Sequence, residues 1–225
     1  MSFLVRCGGA FVGFALVSCV FVVSDGEVRM GGGTRGSGVR SEETRLVEDF
    51  HAVRLEAPAR VQVRVGEARA VHVAGDDNVV PEVRTRVSNG TLVIELEGSW
   101  RLREELEVTL TTPALESFRI EGSGAVAIEG VQAERLELAI EGSGALTARG
   151  SVQDLRATID GSGELDLVGL QAARADLAIE GSGAIEAAVS EGLHYRIEGS
   201  GCIAYSGTAT SHGSVDGSGA LVRRK

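Results

Sequence analysis

The sequence predicts an all-β protein folded as a right-handed parallel β-helix, a solenoid whose coils are 18–20 residues long. Three observations lead there. First, Gly-Ser-Gly recurs at residues 122–124, 142–144, 161–163, 181–183, 199–201 and 217–219, in steps of 20, 19, 20, 18 and 18 residues. A period near 20 marks stacked units, each of which buries its apolar face only against its neighbours. Second, apolar residues within the units alternate. Leu136, Leu138, Ile140 and Leu146 share one parity, as do Leu155, Ala157, Ile159, Leu165 and Leu167, and again Leu193, Tyr195, Ile197, Ile203 and Tyr205. A period of two places these side chains on one face of a strand. Third, aromatic residues are only 4% of the chain while glycine reaches 31, so the core must be made of Val, Leu, Ile and Ala, which suits thin stacked sheets. About 19 residues at roughly 3.3 Å each give a perimeter near 60 Å, a narrow prism filled by a few aliphatic side chains per coil.

In chain order, residues 1–24 read as an export signal. Cys7 to Val23 carries no charge, Arg6 precedes it and Asp25 follows. The run is short for a spanning helix and suits a signal-peptide apolar region. Leu16-Val17-Ser18-Cys19 resembles a bacterial lipobox, which implies that Cys19 becomes the first mature residue and anchors the chain to a membrane through lipid. Val20 to Val23 prolong the apolar run past Cys19, so the alternatives stay open: ordinary cleavage near Ser24, an uncleaved anchor, or a misassigned start. Residues 25–45 read as a flexible Gly-rich tether. Gly31-Gly32-Gly33-Thr34-Arg35-Gly36-Ser37-Gly38 formally fits GxGxxG, but the dinucleotide motif needs a preceding strand and a following helix. No cofactor is expected.

Residues 46–117 form an irregular strand region, with strands over Ala52–Glu56, Val61–Val65 and Ala70–Ala74. Asn89-Gly90 is a type I′ hairpin signal that sets Val87 against Leu92, Thr85 against Ile94 and Val83 against Leu96. These strands are expected to make degenerate first coils. Trp100, beside Arg101 and Arg103, reads as an exposed aromatic in a loop. Residues 118–222 carry the Gly-Ser-Gly repeats, and 46–222 together make one domain. The repeat glycines are expected at corners, where positive φ is needed or a concave-side Cβ would clash.

Charge and chemistry narrow the function. A net charge of −10, with basic clustering only at Arg223, Arg224 and Lys225, argues against nucleic acid, whose binding rests on Lys and Arg. Cys7, Cys19 and Cys202 allow no disulfide within the body and form no CxxC pair for zinc. His51, His72, His194 and His212 are scattered, and the repeat serines lack the GxSxG pattern of a nucleophile elbow. One acid precedes each corner: Glu121, Glu141, Asp160, Glu180, Glu198 and Asp216. Stacked coils would line these into a carboxylate ladder with steps of about 4.8 Å. Such a ladder reads as a solvated face, with cation binding as the alternative use. Paired carboxylates also serve sugar hydrolysis, but uniform repeats without insertions leave no walled cleft, so no catalytic residue is assigned.

The opening Phe50-x-x-Val53-x-Leu55, the Leu92-x-Ile94 pair, the Thr111-Thr112-Pro113-x-Leu115 entry and the Ile-x-Gly-Ser-Gly repeats resemble the putative auto-transporter adhesin, head GIN domain family, over Phe50 to Leu221. The resemblance implies a β-solenoid and a role in adhesion, with no catalytic residues to transfer. The expected function is a non-catalytic module at the bacterial outer membrane, periplasm or cell surface. Its partner would be a glycan, a protein or further copies of itself. The alternatives are a carbohydrate-active β-helix enzyme using the stacked carboxylates and a polymer-forming structural solenoid.

Overall fold

The isoleucine of each Ile-x-Gly-Ser-Gly unit sets the register. Ile120, Ile140, Ile159, Ile179 and Ile197 pair in order down one parallel sheet, and Val215 ends the column. All five isoleucines are buried, so each coil covers the one before it and a continuous aliphatic core runs down the stack. The computed structural model describes residues 33–224, together with the antiparallel strand pair Val23–Ser24 and Glu27–Val28. It shows a parallel β-solenoid of about five turns, with no α-helix among the described residues.

The two glycines of each corner do different work. The first (Gly122, Gly142, Gly161, Gly181, Gly199, Gly217) has φ between +115° and +124°, a conformation closed to ordinary side chains. The second is packed rather than twisted. A Cβ on Gly163 would lie 2.6 Å from Ile140 Cγ2, and one on Gly183 2.7 Å from Ile159 Cγ2. The isoleucine of one coil therefore fills the space left open by the missing side chain of the next, which explains why the two residue types recur together. The serine N–H stitches corners: Ser162 donates to Gly142 O and Ser182 to Gly161 O, both at 2.8 Å.

Coil length varies, yet these corners stay in register. The slack is taken up at the following corner, where pairing skips between Ile128 and Val131, between Thr147 and Gly150, and between Leu167 and Gln171. Pairing shifts again between Ala172 and Arg174, so the slack is absorbed away from the Gly-Ser-Gly corner, which keeps its register.

The strands before the repeats build the first coil, as expected. Ala52–Glu56 pairs in parallel with Ser117–Gly122 and with Thr91–Glu95, and Arg60–Val65 with Ala125–Gly142 and with Glu107–Thr112. The Asn89-Gly90 hairpin forms with both residues at positive φ (49° and 75°), setting Val87 against Leu92 and Thr85 against Ile94. Antiparallel strands then close this end: Ala70–Asp76 pairs with Glu107–Thr112 and carries Arg40–Arg45 on its other side. The outermost strands, Arg40–Arg45 and Arg84–Ser88, are rich in charge, a feature that discourages further strand addition.

Part of the expected tether is built into this end. Thr34–Arg35 pairs with Trp100–Arg101, and Arg40–Arg45 is a sheet strand. Buried Asp76 explains the ordering. Its carboxylate accepts N–H groups from Gly38 (2.6 Å), Arg103 (2.9 Å) and Glu104 (3.1 Å), joining two loops to one strand end. Gly36 passes so close to this carboxylate that any Cβ would collide with it. The export signal and Cys19 lie outside the described residues. No helix among the described residues is long and apolar enough to cross a membrane.

Candidate functional site

Two surface features stand out on the solenoid. The first is the acid column. Glu121, Glu141, Asp160, Glu180, Glu198 and Asp216 are register neighbours, one per coil. Glu95 and Glu56, themselves paired, continue the line above Glu121; neither is followed by a Gly-Ser-Gly, so the repeat pattern gave no cue to them. Arginines two residues earlier neutralise part of the column. Arg54 reaches both Glu56 and Glu121 at 3.6 Å, Arg119 binds Glu141, and Arg196 Nε lies 2.7 Å from Glu198. In the third and fourth coils that position holds Thr158 and Ala178, and Asp160 and Glu180 have no ion-pair partner among the described residues. With a single carboxylate per coil, no three His, Cys, Asp or Glu side chains among the described residues converge as a cation-holding group.

The second feature is an open groove of about 920 Å³ at the corner where a coil enters the Ile-x-Gly-Ser-Gly strand. Partly exposed Ala133 lies on its floor with the largely buried Leu136, Leu155 and Ala175 beneath, and His51, Leu115, Glu116 and Ser117 lie along one end. Its flanks are two charged columns. Arg135, Asp154 and Arg174 stack in one, and Glu137, Arg156 and Asp176 in the next. Sign alternates down each column and across each coil, the reverse of the acid ladder. Arg174 Nε lies 2.7 Å from Asp154 and its Nη1 3.3 Å from Glu191; Arg156 lies 3.5 Å from Asp176, and His194 Nδ1 lies 3.2 Å from the same carboxylate.

The hydrogen bond from Arg174, aided by the charges of Arg174 and Arg135, holds the Asp154 carboxyl below its ordinary value against some desolvation. The same bond and the Asp154 charge raise the Arg174 guanidinium. Asp154 therefore stays ionised at neutral pH and serves as a hydrogen-bond acceptor rather than a proton donor. The groove offers donors, acceptors and apolar surface together, the mixture that a polar ligand with an apolar face requires.

Other residues singled out in the sequence fall as follows. Cys202 is exposed. Tyr205 is buried, with its hydroxyl 3.4 Å from Ser211 Oγ and the Arg223 guanidinium over its ring. Trp100 departs from expectation: it is half-buried in a short strand, packs on the core and donates Nε1–H to Glu97 O at 2.9 Å, so it is not a free aromatic platform. The histidines are less scattered than the sequence implies, since stacking makes His194 and His212 register neighbours. The groove itself was missed, because the charges stacked in each column lie 19 or 20 residues apart and adjoin only through the coil register.

The profile of the family described as putative auto-transporter adhesin, head GIN domain, matches residues 49–209, and the chain belongs to that family. Among solved structures, a putative adhesin from Bacteroides fragilis NCTC 9343 is similar, with 18% identity, a TM-score of 0.67, and 85% of this chain and 100% of that one covered. A putative lipid binding protein from Parabacteroides distasonis ATCC 8503 is similar at 21% identity and a TM-score of 0.52, covering 85% of this chain and 99% of that one. At these identities the likeness concerns the fold. No curated protein matches the chain.

Proposed function

We propose that the chain is a non-catalytic binding module of the bacterial envelope, exported and held to the outer membrane through acylated Cys19, which takes an extracellular or periplasmic glycan or protein in the groove beside Arg156 and Arg174. The observation that carries this reading is the groove. It sets apolar surface beside alternating charges of which Arg156, Arg174, Asp154 and Asp176 are already paired, so a ligand meets a partly ordered polar surface and lower ordering costs. The family's description as adhesins agrees with a binding role. The lipobox-like Leu16-Val17-Ser18-Cys19 supports the anchor.

The test has two arms. Membrane fractionation with protease shaving of intact cells compares wild type with Cys19→Ala; the wild type sediments with membrane and the variant is released. An array of envelope and host glycans and matrix proteins is then probed with wild type and with Arg156→Ala/Arg174→Ala. Ligands that lose at least about tenfold affinity in the double variant assign the groove. Equal binding by both proteins, or release of reducing ends from a polysaccharide on the array, would overturn the reading.

A further inference from the structure

We infer that the last coil is a docking edge for a second copy of this chain: the strand Thr210–Gly217 pairs antiparallel with its own counterpart about a two-fold axis at Ser214. Among the described residues this strand has a neighbour on one side only, the segment Gly192–Gly199. The register of its backbone follows from the coils above. Glu137 N–H donates to Glu116 O in the preceding coil, and Ser218 N–H to Gly199 O. His212 stacks in the column of Glu137, and in a parallel ladder alternate residues bond to alternate sides. The backbone groups of Ser211, Gly213, Val215 and Gly217 therefore face the open edge.

A two-fold at Ser214 uses these groups and matches the side chains. His212 and Asp216 lie on the outer face, two residues either side of Ser214, so each His212 meets Asp216 of the second copy, twice by symmetry. On the inner face Val215, still 40% exposed, meets Gly213 of the second copy, where there is no side chain to obstruct it. Shifting the axis to Gly213 or to Val215 opposes His212 to a serine and loses both matches. The two ends of the molecule also differ in their defences. The strands closing the other end, Arg40–Arg45 and Arg84–Ser88, each hold two arginines, whereas this eight-residue edge has no Lys, Arg or Pro. Its core is thin as well: Leu193 and Tyr195 are followed by Ser211 and Gly213, which leaves the partly buried Tyr195 for a second copy to cover.

The register gives the test. In an antiparallel pair, residues at a two-fold without mutual hydrogen bonds have Cα atoms about 4.5 Å apart, within disulfide range. The full chain in non-denaturing detergent, oxidised and run without reductant, is expected to cross-link as a dimer when it carries Ser214→Cys. His212→Cys alone should give no more dimer than the unsubstituted chain, whose Cys202 sets the background, whereas an equimolar mixture of His212→Cys and Asp216→Cys should cross-link. Independently, His212→Glu, which sets a like charge against Asp216, and Asp216→Lys, which removes the acceptor facing His212, should each weaken association about tenfold, and mixing the two should restore it by pairing the introduced carboxylate with the introduced ammonium. No gain with Ser214→Cys, or equal cross-linking of His212→Cys with itself, would overturn the proposal. So would a dimer unaffected by both charge variants.

Discussion

Asp76 is the residue whose loss should be most informative. Its carboxylate is 1% exposed and accepts three backbone N–H groups, from Gly38, Arg103 and Glu104. In Asp76→Ala these donors lose their acceptor. An unsatisfied buried donor costs about 1–3 kcal/mol, and taking the lower end for groups that water partly reaches gives about 3 kcal/mol in all. The loss falls on the segments 34–38 and 100–104, which are joined by the two-residue Thr34–Arg35/Trp100–Arg101 ladder, by the Arg103 Nη1–H bond to Ser37 O and by this carboxylate cluster. Trp100, the one tryptophan in the chain, sits in that ladder and reports on it directly. Burial pushes the Asp76 carboxyl up, but the N–H groups of Arg103, Gly38 and Glu104 and the Arg103 charge together outweigh it and leave it below its ordinary 3.8. Between the folded and unfolded values the unfolded chain binds more protons, so the contribution is complete above about pH 4 and is lost as pH falls through the folded value. Tryptophan emission of the wild type should therefore hold constant down to about pH 4 and shift red below it. Asp76→Ala should already be shifted at pH 7, with a urea midpoint lowered by the equivalent of about 3 kcal/mol. A variant with wild-type emission at pH 7 and a midpoint displaced by less than about 1 kcal/mol would refute the argument that this carboxylate holds the end of the solenoid together.

Three further outcomes follow from the packing. Gly163→Ala drives a Cβ to 2.6 Å from Ile140 Cγ2 and 2.9 Å from Gly144 O, and should cost about 2–3 kcal/mol by denaturant titration, whereas Ser162→Ala at the same corner should stay within about 0.5 kcal/mol. Ile159→Ala removes a buried side chain covered by coils on both sides and should cost about 2–5 kcal/mol in the same assay. Asp160→Asn/Glu180→Gln relieves two adjacent carboxylates without arginine partners; the variant's melting temperature should rise by about 1–3 °C at low salt, and the gain should vanish at 1 M salt. Calcium should raise the wild-type melting temperature but not the variant's if the column takes up a cation, and should raise neither if the acids are only solvated.

The repeat region was legible because its local signals agree with one another. The alternation of Leu155, Ala157 and Ile159 and the glycines at 161 and 163 each point to the same strand and the same corner, and every coil repeats the statement. The Asn89-Gly90 turn was legible for a similar reason, since its chemistry and the apolar pairing across it coincide. Residues 34–45 were not. Gly36 and Gly38 have the composition of a linker, but one makes room for the Asp76 carboxylate and the other stands at φ +80°, and both demands come from a residue about 40 positions away. The groove escaped for the same cause: Arg135, Asp154 and Arg174 are unremarkable surface charges until the coil register sets them side by side. Trp100 was misplaced because the strand that covers it lies in the supposed tether.

The division of labour between the Gly-Ser-Gly corner and the rest of each coil has a consequence for how this molecule can change. Because the Gly-Ser-Gly corner keeps its register while the rest of the coil absorbs offsets of up to three residues, coils of unlike length stack on one another, and a whole coil can be added or removed as a unit. Length is thereby quantised. Each added coil moves the far end outward by one strand spacing, about 4.8 Å, while the lateral surface keeps its pattern. A lineage of such proteins can tune the distance between the two ends of the stack in equal increments, as a measuring rod is extended by identical links.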